Sequence, residues 1–282
     1  MVLAQVDKRR KRAGEDFSDE EIVKVFYWAV IHDRPINWAC QRRNWPLHAR
    51  RRKLPSETTM SRCQRSPHVI ALLNAVERRV TRPTWPGCYW MIDGKPLVIG
   101  GCSKDRQAGY GRAAGTKAKG YKRHAIVGAD GSLADWRVAP MNKDERVMAE
   151  RLLKTAIVHG YVVADSNYDS NRLHEVCDAR GNRQLLTPRR YGPGRNIGHR
   201  AQSPGRLRSI ALLQNPQPQF GLQLVKDRTA LERYFASCTN WGGGMTHLPP
   251  WVRTHRRVRR WVQAKLTLTA LRRATKTTTY VH

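Results

Sequence analysis

Two aspartates stand at the ends of apolar runs. Asp93 follows Cys88-Tyr89-Trp90-Met91-Ile92 and Asp165 follows Tyr161-Val162-Val163-Ala164, with 71 residues between them. Short runs of this composition are expected as buried strands. A carboxylate that closes such a strand is desolvated unless a partner meets it, and two in adjacent strands repel. Divalent cations remove that repulsion. Hard oxygen ligands suit Mg2+ or Mn2+, and two ions roughly 3.5–4 Å apart can activate an attacking oxygen and stabilise a leaving one in phosphoryl transfer. A third carboxylate must complete the cage, and Glu232, with 66 residues between it and Asp165, is the candidate. It falls on a helix expected over residues 229–238, with Arg228 one turn earlier on the same face, where it can reach a phosphate. Asp169 is a rival to Asp165 but is not at the strand end, and Glu175 is too close to Asp165 and on a different helix. Asp105, Asp130 and Asp135 read as loop and turn residues.

The elements that must position these groups follow from periodicity and punctuation. Residues 1–16 are polar and basic and are expected as an arm with too little apolar content to fold. Ser18-Asp19-Glu20-Glu21 has capping-box spacing and opens a helix that ends before Arg34-Pro35. Further helices are expected around residues 38–42, 57–64 and 69–80, the last with Val69, Leu72, Leu73 and Val76 as its apolar stripe. Residues 17–86 thus form a small all-helical, helix-turn-helix-like domain, closed by Pro83-Thr84-Trp85-Pro86. Beyond it, Asp93-Gly94 reads as a turn between two short strands, and residues 100–120 as a loop. A hairpin over residues 121–138 turns at Ala129-Asp130-Gly131-Ser132. Helices over 143–158 and 171–178 then alternate with strands at 161–164 and 183–188. The fold class is α/β, a mixed β-sheet flanked by helices, over residues 87–265, with a C-terminal tail at 266–282.

The chain carries 52 Lys and Arg against 22 Asp and Glu, a formal charge of +30 spread along its length. Such a surface fits a polyanion, and DNA is the leading partner, because phosphate neutralisation rewards many dispersed cations. Arg62, Lys119, Lys122, Arg123, Arg256 and Arg257 are candidate DNA contacts, and Trp241 beside Gly242-Gly243-Gly244 could stack on an extruded base. Trp85, Trp90 and Trp136 read as core. No apolar run approaches the roughly 20 residues of a membrane-spanning helix, and the start of the chain does not read as a signal peptide. The six cysteines are scattered with no C-x-x-C pair, so neither zinc nor a disulfide framework is expected, and a reduced cytoplasmic compartment is.

The acidic spacing, with Trp90-Met91-Ile92-Asp93-Gly94, Ala164-Asp165-Ser166-Asn167-Tyr168-Asp169-Ser170 and Arg228-Thr229-Ala230-Leu231-Glu232-Arg233-Tyr234-Phe235, resembles the DDE transposases of bacterial insertion sequences, groups four and five in particular. Lys119-Gly120-Tyr121-Lys122-Arg123-His124 and Leu54-Pro55-Ser56 with Ser61-Arg62 add to the likeness, which covers residues 17–265. The resemblance implies an RNase H-like catalytic fold with metal ligands on the first strand, the fourth strand and the last helix. It also implies two Mg2+ or Mn2+ ions per site, binding of an element's terminal inverted repeats, strand cleavage and strand transfer, a homodimer on DNA, and a bacterial, nucleoid-associated cytoplasmic location. Two positions depart from the family's Y-x2-R-x3-E-x6-K signature: Val225 stands at the tyrosine and Thr239 at the lysine. Two alternatives follow, a nuclease that cuts without joining and a DNA-binding derivative that no longer catalyses.

Overall fold

The computed structural model describes residues 13–50, 53–82, 87–100, 103–189, 202–214, 220–226, 229–239 and 244–279, with Leu3, Val6 and Lys11. The chain forms two compact units. One comprises residues 1–81, 238–245 and 249–282; the other comprises residues 82–237 and 246–248.

In chain order the helical unit opens with α1 (Asp19–Ile31), α2 (Ile36–Ala39), α3 (Glu57–Cys63) and α4 (Pro67–Thr81). The sheet unit follows with β1 (Tyr89–Val98), β2 (Gly109–Ala113), β3 (Thr116–Gly128), β4 (Leu133–Pro140), α5 (Glu145–Thr155), β5 (Gly160–Val163), α6 (Asn171–Asp178), β6 (Arg183–Leu186), α7 (Pro204–Gln214), α8 (Phe220–Lys226) and α9 (Thr229–Thr239). The last element is α10 (His255–Thr279).

The capping box that opens α1 is formed: Glu21 N–H donates to Ser18 Oγ at 3.3 Å and Ser18 N–H to Glu21 Oε2 at 2.8 Å. Its buried stripe, Ile22, Val25, Phe26 and Ala29, packs on α4, whose Val69, Leu72, Leu73 and Val76 are buried in turn. Trp28 stacks on Trp45 with ring centroids 4.8 Å apart, and the indole N–H of Trp45 donates to the Ala39 carbonyl at 2.7 Å, which fixes the short α2 segment.

The boundary expected at residue 265 falls inside α10, which runs unbroken to Thr279 and packs with α1 and α4. Residues 261–269 are buried on every side, although Gln263, Lys265, Thr267 and Thr269 lie among them. Each of these four side chains has a partner. Gln263 donates to Asn74 at 2.7 Å and Glu77 at 2.6 Å; Lys265 reaches Asp33 at 3.5 Å; the two threonine hydroxyls donate to carbonyls four residues back. A polar-looking segment therefore serves as the central helix of a bundle, where its apolar stripe alone would not have been read as core.

The sheet has six strands in the order β2-β3-β1-β5-β6, with β4 pairing the rest of β3. β1 is antiparallel to β3, while β1, β5 and β6 run parallel, so the sheet is mixed, as expected. Strand β1 corrects one expectation: Asp93-Gly94 is not a turn, because Trp90 to Val98 pair continuously with Gly128 to Gly120 of β3. The long partner strand overrides the local turn preference. Residues 109–128 correct another. The expected loop contains the β2–β3 hairpin, whose two-residue turn, Ala114 (φ 49°) and Gly115 (φ 81°), has the positive φ pair of a type I′ connection.

Helices α5 and α6 cover one face. Trp90, Ile92, Ile126, Val162, Ala164 and Leu185 form the core with Leu152 and Leu153 of α5 and Leu173 and Val176 of α6. Arg183 closes α5 from β6, donating to the Leu153 and Ala156 carbonyls at 2.7 and 3.1 Å, where the helix leaves its last acceptors unsatisfied.

Candidate active site

Side chains alternate across a strand, so the core placement of Trp90, Ile92, Val162 and Ala164 sends Met91, Asp93, Val163 and Asp165 to the opposite face. Met91 of β1 pairs with Val163 of β5 in parallel register. Asp93 and Asp165 each follow two residues after this last pair, Asp165 just past the end of β5 at the cap of the next turn. Beyond Met91, β1 has no β5 partner and the sheet edge opens at the carboxylates. Open α/β sheets bind ligands at such carboxyl ends of their parallel strands.

The two carboxylates feel one another. Burial raises the Asp93 pKa above the usual carboxylate range; Lys95 and the Gly94 N–H oppose this, and the Asp165 charge adds to the rise. Asp93 Oδ1 accepts the Gly94 N–H at 2.7 Å, and Lys95 Nζ lies 3.4 Å from Oδ2. Asp165 caps the 3-10 turn Ser166–Tyr168, taking the Asn167 N–H at 2.8 Å. Sequence reasoning did not single out Lys95. Its signal was the two-residue step from Asp93, which places both on one face of β1.

Asp169 is not an equivalent of Asp165. Its carboxylate is buried and forms a two-pronged pair with Arg206 of α7, Nε to Oδ1 at 2.7 Å and Nη2 to Oδ2 at 2.8 Å, with the buried His174 3.8 Å away. Glu175 is exposed on α6, the helix that packs on the other face of the sheet.

Gly94 pairs with His124 of β3, and a Cβ there would lie 2.9 Å from the His124 Nδ1. The imidazole is 1% exposed, and burial together with the Lys122 charge pushes its pKa down to about 4, so it is neutral at physiological pH. Gly94→Ala is expected to destabilise the protein by about 1–3 kcal/mol through overpacking. Urea denaturation monitored by tryptophan fluorescence checks this, and an unchanged midpoint would show that the imidazole can yield.

Helices α8 and α9 lie on the aspartate face. Tyr89 donates to the Leu224 carbonyl of α8 at 2.5 Å, and Tyr161 meets Phe220 edge-on at 5.3 Å between centroids. Phe235 of α9 sits against two cations, Arg123 at 4.5 Å and Lys95 at 5.5 Å from its ring centre. Arg123, expected as a DNA contact, is instead 2% exposed beneath Phe235 and anchors α9. Glu232 is exposed one turn before that anchor. The structure thus brings Asp93 and Asp165 together but does not group Glu232 with them: among the described residues no three His, Cys, Asp or Glu side chains converge as metal ligands. Two interacting, half-buried carboxylates are nonetheless the donor chemistry a hard cation requires.

Of the other expected contacts, Arg62, Arg256 and Arg257 are exposed. Lys119 donates to the Ser103 carbonyl at 2.8 Å, and Lys122 is paired with Glu145. Arg228 and Trp241 lie outside the described residues. Asp105 lies in a loop, as expected, and is buried there, accepting the Tyr121 hydroxyl at 2.9 Å. Among the described residues no helix is long and apolar enough to cross a membrane.

A six-stranded mixed sheet with helices on its faces and two interacting carboxylates beyond the paired ends of neighbouring parallel strands defines an RNase H-like α/β protein. The chain belongs to the transposase DDE domain family, which it matches over residues 88–269. That match includes the first half of α10 as well as the sheet unit. A cryo-EM structure of a piggyBac transposase synaptic complex with hairpin DNA is similar at 9% identity and a TM-score of 0.36, covering 97% of this chain and 79% of that one. No curated protein matches the chain.

Proposed function

We propose that this protein cuts and rejoins DNA as the transposase of an insertion sequence. It binds the element's terminal inverted repeats, cleaves a phosphodiester, and directs the freed 3′ hydroxyl at target DNA. The observation that carries this reading is the pair of mutually repelling carboxylates, Asp93 and Asp165, just beyond the paired ends of β1 and β5. Asp93 and Asp165 would hold the divalent ions, Mg2+ or Mn2+, with Glu232 of α9 as third ligand. Such ions, when bound, stabilise developing charge on the phosphate and lower the pKa of the attacking water.

The chain's own contribution is placement. In this reading the parallel pairing of β1 with β5 brings the chain to Asp93 and Asp165 on neighbouring strands, and Phe235 packs α9 on Arg123 and Lys95. The charge of +30, with Arg62, Arg256 and Arg257 exposed, supplies the field that draws in and retains DNA. The complex on DNA is a homodimer in this reading, and the setting is the bacterial cytoplasm and nucleoid.

Incubating the protein with labelled element ends and a target plasmid tests the proposal. Joined product in Mg2+ and none in excess EDTA is the expected result. Cleavage without joining would identify a nuclease, and binding without cleavage would favour the non-catalytic derivative to which Val225 and Thr239 point.

Stability offers a check that does not need DNA. Asp93→Asn removes a desolvated charge that repels Asp165, while the Lys95 pair it gives up is half-exposed and contributes little. In divalent-free buffer at neutral pH the variant is expected to gain about 1 kcal/mol, or roughly 2–4 °C in Tm. Because burial raises the Asp93 pKa, acid protonates this group in the folded wild type before the unfolded chain. The variant's advantage therefore shrinks as pH falls toward that raised pKa. A loss of Tm on substitution would mark Asp93 as a structural residue instead.

A further inference from the structure

Within the helical unit a cleft of about 180 Å3 opens between the end of α1, α3 and the start of α10. Five arginines line it, Arg34, Arg65, Arg256, Arg257 and Arg260, against one carboxylate, Glu57. Among the described residues none of the five is in a salt bridge within 4 Å, Arg34 acting only at longer range on Asp33. Arg260 is half-buried, and its burial together with repulsion from Arg256 and Arg259 pulls its pKa below the ordinary guanidinium value. Like charges are thus packed together with Glu57 as the one carboxylate in the lining, and Arg256 and Arg257 stand in the first turn of a 25-residue helix whose dipole adds to the positive field. The Gln64 amide nitrogen in the same wall is buried without an acceptor.

Charge alone would describe a phosphate seat, but the rest of the lining is apolar. Phe26, Ala29 and Val30 of α1, with Trp261 of α10, form the base, and Trp251 and Ile36 are half-buried at its side. Arginines on an open surface suffice for backbone phosphates; an apolar recess beside them rewards a ligand that carries a flat apolar face next to its charge. Duplex DNA keeps its bases stacked inside, so only an unpaired nucleotide presents that face. The recess is also smaller than the roughly 300–1,000 Å3 of pockets that enclose whole small molecules, and suits one base.

We propose that this cleft seats one unpaired nucleotide of a DNA strand, with its phosphates on the arginine rim and its base against Trp251. The N-terminal helices and the start of α10 build the seat jointly. This rests on the reading that the protein acts on DNA, and it assigns a strand-end contact to the helical unit.

Fluorescence anisotropy with the full chain and two labelled hairpin duplexes, one blunt and one with a short single-stranded extension, tests it across a salt series. The wild type is expected to bind the extended duplex about five- to tenfold more tightly than the blunt one. Trp251→Ala abolishes that preference, and Trp251→Phe retains it. Arg257→Gln, at an exposed position that folding does not depend on, lowers the salt slope for the extended duplex by about 0.7. If the wild type binds both duplexes equally, or if both Trp251→Ala and Arg257→Gln keep the wild-type preference and slope, the cleft is not the seat, while binding to the blunt duplex leaves the proposed function standing. Binding to neither duplex would overturn the DNA reading itself, and this proposal with it.

Discussion

Asp165→Ala is expected to lower Mg2+-dependent cleavage of element ends by about a thousandfold or more while leaving DNA binding intact. A thousandfold is about 4 kcal/mol of transition-state stabilisation, within the several kcal/mol that a metal-held charge supplies in phosphoryl transfer. Two features argue that the loss is chemical and not structural. The Asp165 carboxylate bonds within its own turn, to the Asn167 N–H at 2.8 Å, so its removal costs one local hydrogen bond of about 1 kcal/mol. It also faces Asp93, to whose charge it is adverse, so the folded state partly gains from its loss. Single-turnover cleavage assays at saturating protein, beside anisotropy for binding, separate the two readouts. Cleavage within tenfold of the wild type would remove Asp165 from the site.

How far the sequence revealed this site depends on the kind of signal each part leaves. β5 was legible because a strand buried on both faces is apolar throughout, and the residue where that run stops, Asp165, is conspicuous. Asp93 was legible as a residue but not in its setting: Asp-Gly is a strong local turn signal, and only the pairing of Asp93 with Ala125 in a distant strand shows that β1 runs through it. Pro96, which would argue against a central strand, is tolerated because β1 beyond Met91 has no β5 neighbour.

Other parts left no periodic trace. α7 is held by polar bonds, Arg206 to Asp169, Arg208 to Asp178 and the Ser209 hydroxyl to the Thr187 N–H, so no apolar stripe marks it. Arg123 looks like a surface cation in a basic stretch, and nothing local discloses that Phe235, more than a hundred residues later, covers it. The arginine cleft is similar: Arg34, Arg65 and Arg257 are far apart in the chain, and only the return of α10 to the first helices assembles them.

The Asp169–Arg206 pair supplies the complementary test, because a rival acid that is structural must fail differently. Asp169→Ala leaves the Arg206 guanidinium, 12% exposed, without its two-pronged acceptor beside a buried His174. Breaking a buried pair from one side costs about 3–5 kcal/mol, since the remaining charge stays desolvated. For a chain of this size the loss corresponds to a fall in Tm of roughly 10 °C. Arg206→Ala should cost a similar amount by stranding Asp169, whose side chain is 3% exposed. The double variant should cost less than the two singles together, because no unpaired charge remains. Thermal denaturation of the three variants measures this coupling. Well below their lowered Tm, they should still cleave element ends, since the Asp169 carboxylate is taken up by Arg206 and is not among the charges that act on Asp93. An Asp169→Ala protein with wild-type stability and no cleavage would reverse the roles assigned to Asp165 and Asp169.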